Sequence, residues 1–173
     1  LNFNFQESIQ ILERTPKTLQ NLLTDISPEW YKINEGEGTW TPLEVIEHLI
    51  EGEKTDWLKR TEKIINPELD NMFEEFNRFT HLAKPVRKIE VALEEFATLR
   101  AENLSKLINF KIKEEDLDKV GIHPEFGEVT LQQLLATWVV HDLTHISQIV
   151  RVMANRYKDD VGPWISYLSI LQK

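Results

Sequence analysis

The chain of 173 residues contains no cysteine. That excludes disulfides, thiolate metal sites and a thiol nucleophile, and it leaves histidine and carboxylate as the strong metal ligands. Positive charge is scarce: 20 Lys and Arg stand against 29 Asp and Glu, a formal net charge of −9. Duplex nucleic acid needs a cationic face, and no Lys/Arg cluster supplies one locally, so no nucleic-acid partner is expected. No apolar run reaches the length of a membrane span, so no membrane partner is expected either. The opening LNFNFQESIQ does not read as a signal peptide, and a cytoplasmic protein is the expectation. Internal repeats, low-complexity tracts and linkers are also missing, which suits one domain over 1–173. What is present is 41% hydrophobic residues, enough for one core, and 28% charged residues for its surface.

The periodicity is helical throughout. A first helix is predicted over 4–26, with Phe5, Ile9, Leu12, Leu19, Leu22, Leu23 and Ile26 on its apolar face. Pro16 lies inside it and predicts either a kink or a restart with Thr15 as N-cap. The second helix starts at Thr41-Pro42-Leu43-Glu44, where Thr41 and Glu44 form a capping box and Trp40 and Val45 a hydrophobic staple. It is predicted to run to about Ile65. Gly52 inside it costs helix stability, which either a gap beside His48 or close helix packing would explain. The third helix covers roughly 86–110. A fourth spans 130–157, opened by a second capping box of Thr130 and Gln133.

Between the second and third helices lies a long aperiodic stretch, 66–85, with Phe73, Phe76, Phe79 and His81. Such a connection predicts a crossover that lets those helices run parallel. His81 stands among polar residues, and little points to a functional role for it. The segment EEDLDKVGIHPEFGEVT reads as a turn-rich loop in which His123 precedes Pro124 and is extended. His123 is either a surface residue or a substrate contact on a lid. WISYLSIL near the end predicts a short helix docked through Trp164, Leu168 and Leu171. The fold class is therefore all-α: a four-helix bundle with a long crossover between helices two and three, plus a short C-terminal helix.

Chemistry concentrates in the fourth helix. His141 and His145 are four residues apart, on one face and about one turn from each other. Leu134, Trp138, His141, His145, Ile149 and Val152 follow the rhythm of a core stripe, so both imidazoles point inward. They are either core histidines bonded to neighbours or two ligands of one transition metal. A third ligand would come from elsewhere, and His48 is the candidate. It lies about 10 Å along its helix, against about 16 and 22 Å for His141 and His145 along theirs. All three are mid-helix and can meet in a bundle interior.

Four motifs in order resemble the DinB/YfiT family, whose members are regarded as metalloenzymes. They are W-T-P-L-E-V-I-E-H-L at 40–49, H-P-E-F-G-E-V-T-L at 123–131, W-V-V-H-D-L-T-H-I-S-Q-I at 138–149 and V-G-P-W-x-x-Y-L at 161–168. The resemblance spans nearly the whole chain. It implies a four-helix bundle with the long crossover, often a homodimer. It also implies one divalent metal, usually nickel or zinc, on His48, His141 and His145. Some relatives use a low-molecular-weight thiol such as bacillithiol in transfer reactions.

Three neutral imidazoles would leave a metal with its full charge and an open position, able to activate water or a thiol. The leading expectation is a metal-dependent transferase that activates a small thiol for attack on a small-molecule substrate. The alternative is a hydrolase that uses metal-bound water, with Asp142 or Glu44 as base; the shorter arm of Asp142 suits it better to orienting a ligand or bonding a neighbouring helix. A third reading is a non-catalytic metal-binding, stress-related dimer, whose signature would be a closed coordination sphere and no pocket.

Overall fold

The computed structural model describes residues 3–172. Helix α1 spans Phe5–Leu23 and is capped by Asn4, whose side chain accepts the Glu7 amide at 3.1 Å. It passes through Pro16 as one helix, so of the two alternatives there the restart at Thr15 does not occur. Proline has no amide hydrogen to offer the carbonyl of residue 12. That carbonyl is satisfied from outside the helix, by Arg100 Nη1 at 2.9 Å.

The predicted capping box at Thr41 and Glu44 opens α2, Pro42–Thr55. The single helix expected to Ile65 is broken at Asp56, whose φ of −115° and ψ of −84° leave the helical region. Helix α3, Trp57–Ile65, follows at once. The break folds the indole of Trp57 back onto Gly52, where an added Cβ would stand 3.0 Å from Trp57 Nε1. Close packing is therefore one reason for this glycine, and the open space it borders beside His48 is the other.

The chain then crosses to α4, Ile89–Asn109, and α5, Leu131–Asn155. Arg87 pairs with Glu47, Lys54 with Glu95, and Glu53 with Arg100 and Asn103. The first turns of α2 meet the approach to α4 and its last turns meet the body of α4, so the two helices run parallel, as the long crossover predicts. His48 meets His141 and Glu53 meets Trp138, in opposite order, so α2 and α5 run antiparallel.

The segment read as a loop before α5 contains a hairpin, β1 Val120–His123 paired antiparallel with β2 Gly127–Thr130. Short strands of mixed polarity carry little period-two signal, and this one is held by non-local bonds. Ile122 exchanges backbone hydrogen bonds with the crossover, to Asn71 at 2.8 Å and from Phe73 at 2.9 Å. Gly121 permits the approach, since a Cβ there would come within 2.4 Å of the Phe73 ring. The C-terminal segment also departs from expectation. It forms 3₁₀ turns at Gly162–Tyr167 and Ser169–Leu171 rather than one docked helix. Leu171 is buried, but Trp164 is 68% exposed and Leu168 37%. Runs this short close too few hydrogen bonds to sustain an α-helix.

Two apolar clusters fill the bundle. One gathers around Ile46, Ile50, Leu93 and Phe96, the other around Leu12, Trp57, Leu107 and Trp138. Among the described residues, no helix is long and apolar enough to cross a membrane.

Candidate metal centre

The two capping boxes fix where α2 and α5 begin, and hence the rotational setting of the residues that follow. Glu44 and Thr41 exchange hydrogen bonds of 2.7 and 3.2 Å, and Thr130 and Gln133 of 2.9 and 3.2 Å. From these starts His48 projects from α2 toward His141 and His145 of α5. His141 Nε2 lies 3.1 Å from Nε2 of His48 and 3.1 Å from Nε2 of His145. Among the described residues these three histidines form a group whose ligand atoms lie within 4.8 Å of one another.

Hydrogen bonding cannot satisfy this cluster. His145 Nδ1 lies 2.8 Å from Gln148 Oε1, an acceptor, so its proton sits on Nδ1 and Nε2 carries a lone pair. A proton on His141 Nε2 could reach only one neighbour, and the other contact would stay unmatched. Nδ1 of both His48 and His141 is buried without a hydrogen-bond partner. A shared cation resolves the conflict, because all three Nε2 lone pairs then point at it. Two imidazole nitrogens on a tetrahedral zinc-like ion at about 2.0–2.1 Å stand about 3.3 Å apart, close to the observed spacing. The donor set therefore fits a divalent metal, and the Gln148 contact fixes one ring in the tautomer that ligation needs.

The electrostatics agree. Burial, then the charges His145 and His81 could carry, push the His48 pKa down to about 3. Burial, then His145 and His48, push His141 to about 2. Burial also lowers His145, against the opposing pull of Gln148 and Asp142. All three rings are neutral near pH 7, the form in which imidazole binds metal.

A cavity of about 320 Å³ opens beside the triad, walled by Trp40, Trp57, Phe76, Gly52, Asp56 and Arg78. Its size and apolar walls are those of a small-molecule site. Asp56, at the helix break, is 6% exposed. Arg60 Nε stands 2.5 Å from its Oδ1, yet the contact lacks hydrogen-bond alignment and leaves that oxygen without a hydrogen-bond partner. Burial outweighs the Arg60 charge and pushes the Asp56 pKa up to about 6.

Both carboxylates expected to act as bases are committed elsewhere. Asp142 is fully buried, and its two oxygens accept from Arg100 at 2.6 and 3.0 Å. Glu44 accepts the Thr41 amide in the capping box, and it is not part of the cavity wall. His123 ends β1, where its Nδ1 accepts the Glu125 and Phe126 amides at 3.1 and 3.3 Å. It lines an adjoining recess rather than the triad cavity. His81, for which the sequence points to no role, is 3% exposed, and its ring centroid lies 4.5 Å from Trp40 and 5.4 Å from His48. An aperiodic segment carries no face signal from which such burial could be read. Asp56, Arg78, Phe76 and Gln148 were also missed. For Asp56 the available signal was Gly52 one turn earlier, a weak point in the helix.

The sequence matches the family model described as DinB superfamily over residues 11–149. A protein of Bacillus cereus strain B4264 is 26% identical over 145 residues, covering 82% of this chain and 80% of its own, and is named "Putative metal-dependent hydrolase". A Bacillus thuringiensis subsp. konkukian protein with the same descriptive name is 25% identical over the same coverage. Among solved structures, YfiT from Bacillus subtilis superposes with a TM-score of 0.75 at 17% identity, over 90% of each chain. That protein is described as a probable metal-dependent hydrolase with an unusual four-helix bundle topology. The four-helix bundle protein TT2238 superposes with a TM-score of 0.53 at 23% identity, over 85% of this chain and 98% of its own. With a match across most of its length, and the bundle to accompany it, this chain belongs to the DinB superfamily.

Proposed function

We propose that the chain is a metal-dependent hydrolase whose ion is held by His48, His141 and His145 and whose general base is Asp56. The observation that carries the reading is the Asp56 carboxylate, raised to about 6 and lacking a hydrogen-bond partner on one oxygen, in the same cavity as the triad. A bound divalent ion supplies Lewis acidity, which lowers the pKa of a nucleophile and polarises a substrate oxygen. The protein's own residues do the rest. Asp56 is ionised at neutral pH and accepts the proton of the attacking nucleophile, with a pKa near the working range of a base. Trp40, Trp57 and Phe76 hold the apolar part of the substrate and exclude bulk water. Gln148 keeps the His145 ring in place. The names of the curated relatives support hydrolysis as the reaction class.

A second reading keeps the site and changes the nucleophile to a low-molecular-weight thiol of the bacillithiol type, which would make the chain an S-transferase. It is favoured by the absence of cysteine, since no thiolate of the chain competes for the ion. Nickel and zinc both suit three imidazoles with an open position.

One experiment separates the readings. The zinc- and nickel-loaded protein is offered p-nitrophenyl esters in ¹⁸O-labelled water, and chlorodinitrobenzene with small thiols. Hydrolysis with ¹⁸O in the product supports the first reading, and a thiol adduct without ester cleavage supports the second. Asp56→Asn is expected to lower turnover about 10²–10⁴-fold, the usual contribution of a general base, with metal content unchanged. Full activity in that variant would remove Asp56 from the mechanism.

A further inference from the structure

We propose that Arg78 is a specificity residue that binds a carboxylate of the substrate, so the site takes small organic monoacids with an apolar or aromatic reacting part. The proposal rests on the enzymatic reading above for the word substrate, but its content is a binding preference.

The triad cavity does not end at its own wall. A wider recess of about 800 Å³ adjoins it, and Asp56, Phe76 and Arg78 line both spaces. A molecule with its reacting group at the triad therefore extends past Arg78 into the recess. The charged side chains of the recess are Arg60 and Arg78 on one sign, Asp56, Glu75 and Glu125 on the other.

The two arginines differ in what they already hold. Arg60 is committed: Nε faces Asp56 at 2.5 Å, Nη2 donates to the Glu74 carbonyl at 3.2 Å, and the guanidinium lies over Phe73. Arg78 makes no ion pair and no side-chain hydrogen bond among the described residues. Its guanidinium rests against Phe79, 5.3 Å from the ring centroid. A cation–π contact occupies the face of the guanidinium and leaves its five N–H donors, which lie in the plane, for a ligand. The planar fork matches a carboxylate in bidentate geometry. The Arg78 charge also acts at His48, which places it within electrostatic reach of the triad.

The surroundings narrow the ligand further. The chain carries a net charge of −9, which repels anions at long range, so an acid gains entry only where a dedicated cation receives it. Glu75 and Glu125 lie in the same recess and disfavour a second negative charge. A single carboxylate suits this arrangement better than a phosphate or a di-acid. The aromatic wall of Trp40, Trp57 and Phe76 takes the apolar remainder.

The test is equilibrium binding of a matched pair, 3-phenylpropionate and its neutral amide, followed by tryptophan fluorescence. It is run on the protein as purified and again after chelation, on wild type, Arg78→Gln and Arg78→Lys. The expected result is a preference for the acid of about tenfold or more in wild type, with and without metal. Arg78→Gln abolishes it and Arg78→Lys keeps part of it. Equal affinities in wild type, no measurable binding of the acid, or a preference that survives Arg78→Gln would overturn the proposal; survival only in the metal-loaded form would put the carboxylate on the ion instead. No turnover is read, so a failed hydrolase reading and a failed carboxylate site give different results.

Discussion

Two polar clusters share the interior of this bundle, and they are finished to different degrees. Around Arg100 every donor is used. Nε and Nη2 donate to Glu53, Nη1 and Nη2 to Asp142, and Nη1 also to the Leu12 carbonyl that Pro16 left free. Glu53 adds bonds from Asn103 and Trp138. One guanidinium thus ties α1, α2, α4 and α5 together, with its five N–H groups matched to five acceptor contacts. The histidine cluster, on the same pair of helices α2 and α5, has unpartnered nitrogens and mutually facing lone pairs. A closed polar network in a core holds structure, whereas an open one leaves room for something that is not protein. The difference sets Arg100 apart as scaffold and the triad as the candidate metal site.

Breaking the closed cluster should have the largest effect. Arg100→Met leaves Glu53 and Asp142 buried without their cation and is expected to cost about 3–5 kcal/mol in urea unfolding. A loss under 1 kcal/mol would mean that the network does not hold the bundle. Breaking the open cluster should do the reverse. His141→Gln is expected to abolish the metal-dependent rise in Tm while the chelated variant remains folded, as read by calorimetry with and without zinc.

Acid sharpens the contrast next. The His48 and His141 pKa values of about 3 and about 2 lie below the ordinary 6.5 of an unfolded histidine. Between those limits the unfolded chain binds more protons, so the chelated protein loses stability as pH falls below about 6.5. Asp56 works the other way: raised from 3.8 to about 6, it favours the fold as pH drops through that window. Two strongly lowered histidines outweigh one raised aspartate, and the net slope is loss in acid. Urea midpoints from pH 7 to 4 should fall, and less steeply in a His48→Gln, His141→Gln double variant. Equal slopes would show that these rings are not buried neutral.

The smallest effect is expected at Glu44. Glutamine also closes a capping box. Glu44→Gln should therefore change stability by less than about 0.5 kcal/mol and leave turnover and metal content intact. A large loss of turnover with an unchanged fold would return Glu44 to the catalytic machinery.

What could be read from the residues and what could not follow the same physical line. Regular helices advertise themselves locally. The apolar stripe of α5, both capping boxes and the inward setting of His141 and His145 follow from spacing; for His48 spacing only permits the meeting, and the resemblance to the family joins it to the pair. The parallel crossover followed from the length of the 66–85 connection. Features created by contacts between distant segments left no local mark. Asp56 reads as one more residue of a long helix, and the break there accompanies the packing of Trp57 against Gly52, which periodicity does not show. The hairpin depends on Asn71 and Phe73. Arg100 carries no local mark of burial on its helix, yet all five of its N–H groups are bonded in the interior. Asp142 reads either as a base, by analogy with H-E-x-x-H, or as a group bonded to a neighbouring helix; it is the latter, and its partner Arg100 is 42 positions away.

The central claim is that three imidazoles from α2 and α5 share one cation. X-ray absorption at the metal edge on the zinc- or nickel-loaded protein, with stoichiometry measured on the same sample, tests it most directly. The account predicts one ion per chain with three imidazole nitrogens and a position not filled by protein, all lost when His48, His141 and His145 are replaced by glutamine together. Stoichiometric binding that survives the triple replacement, or a first shell without imidazole, would contradict it.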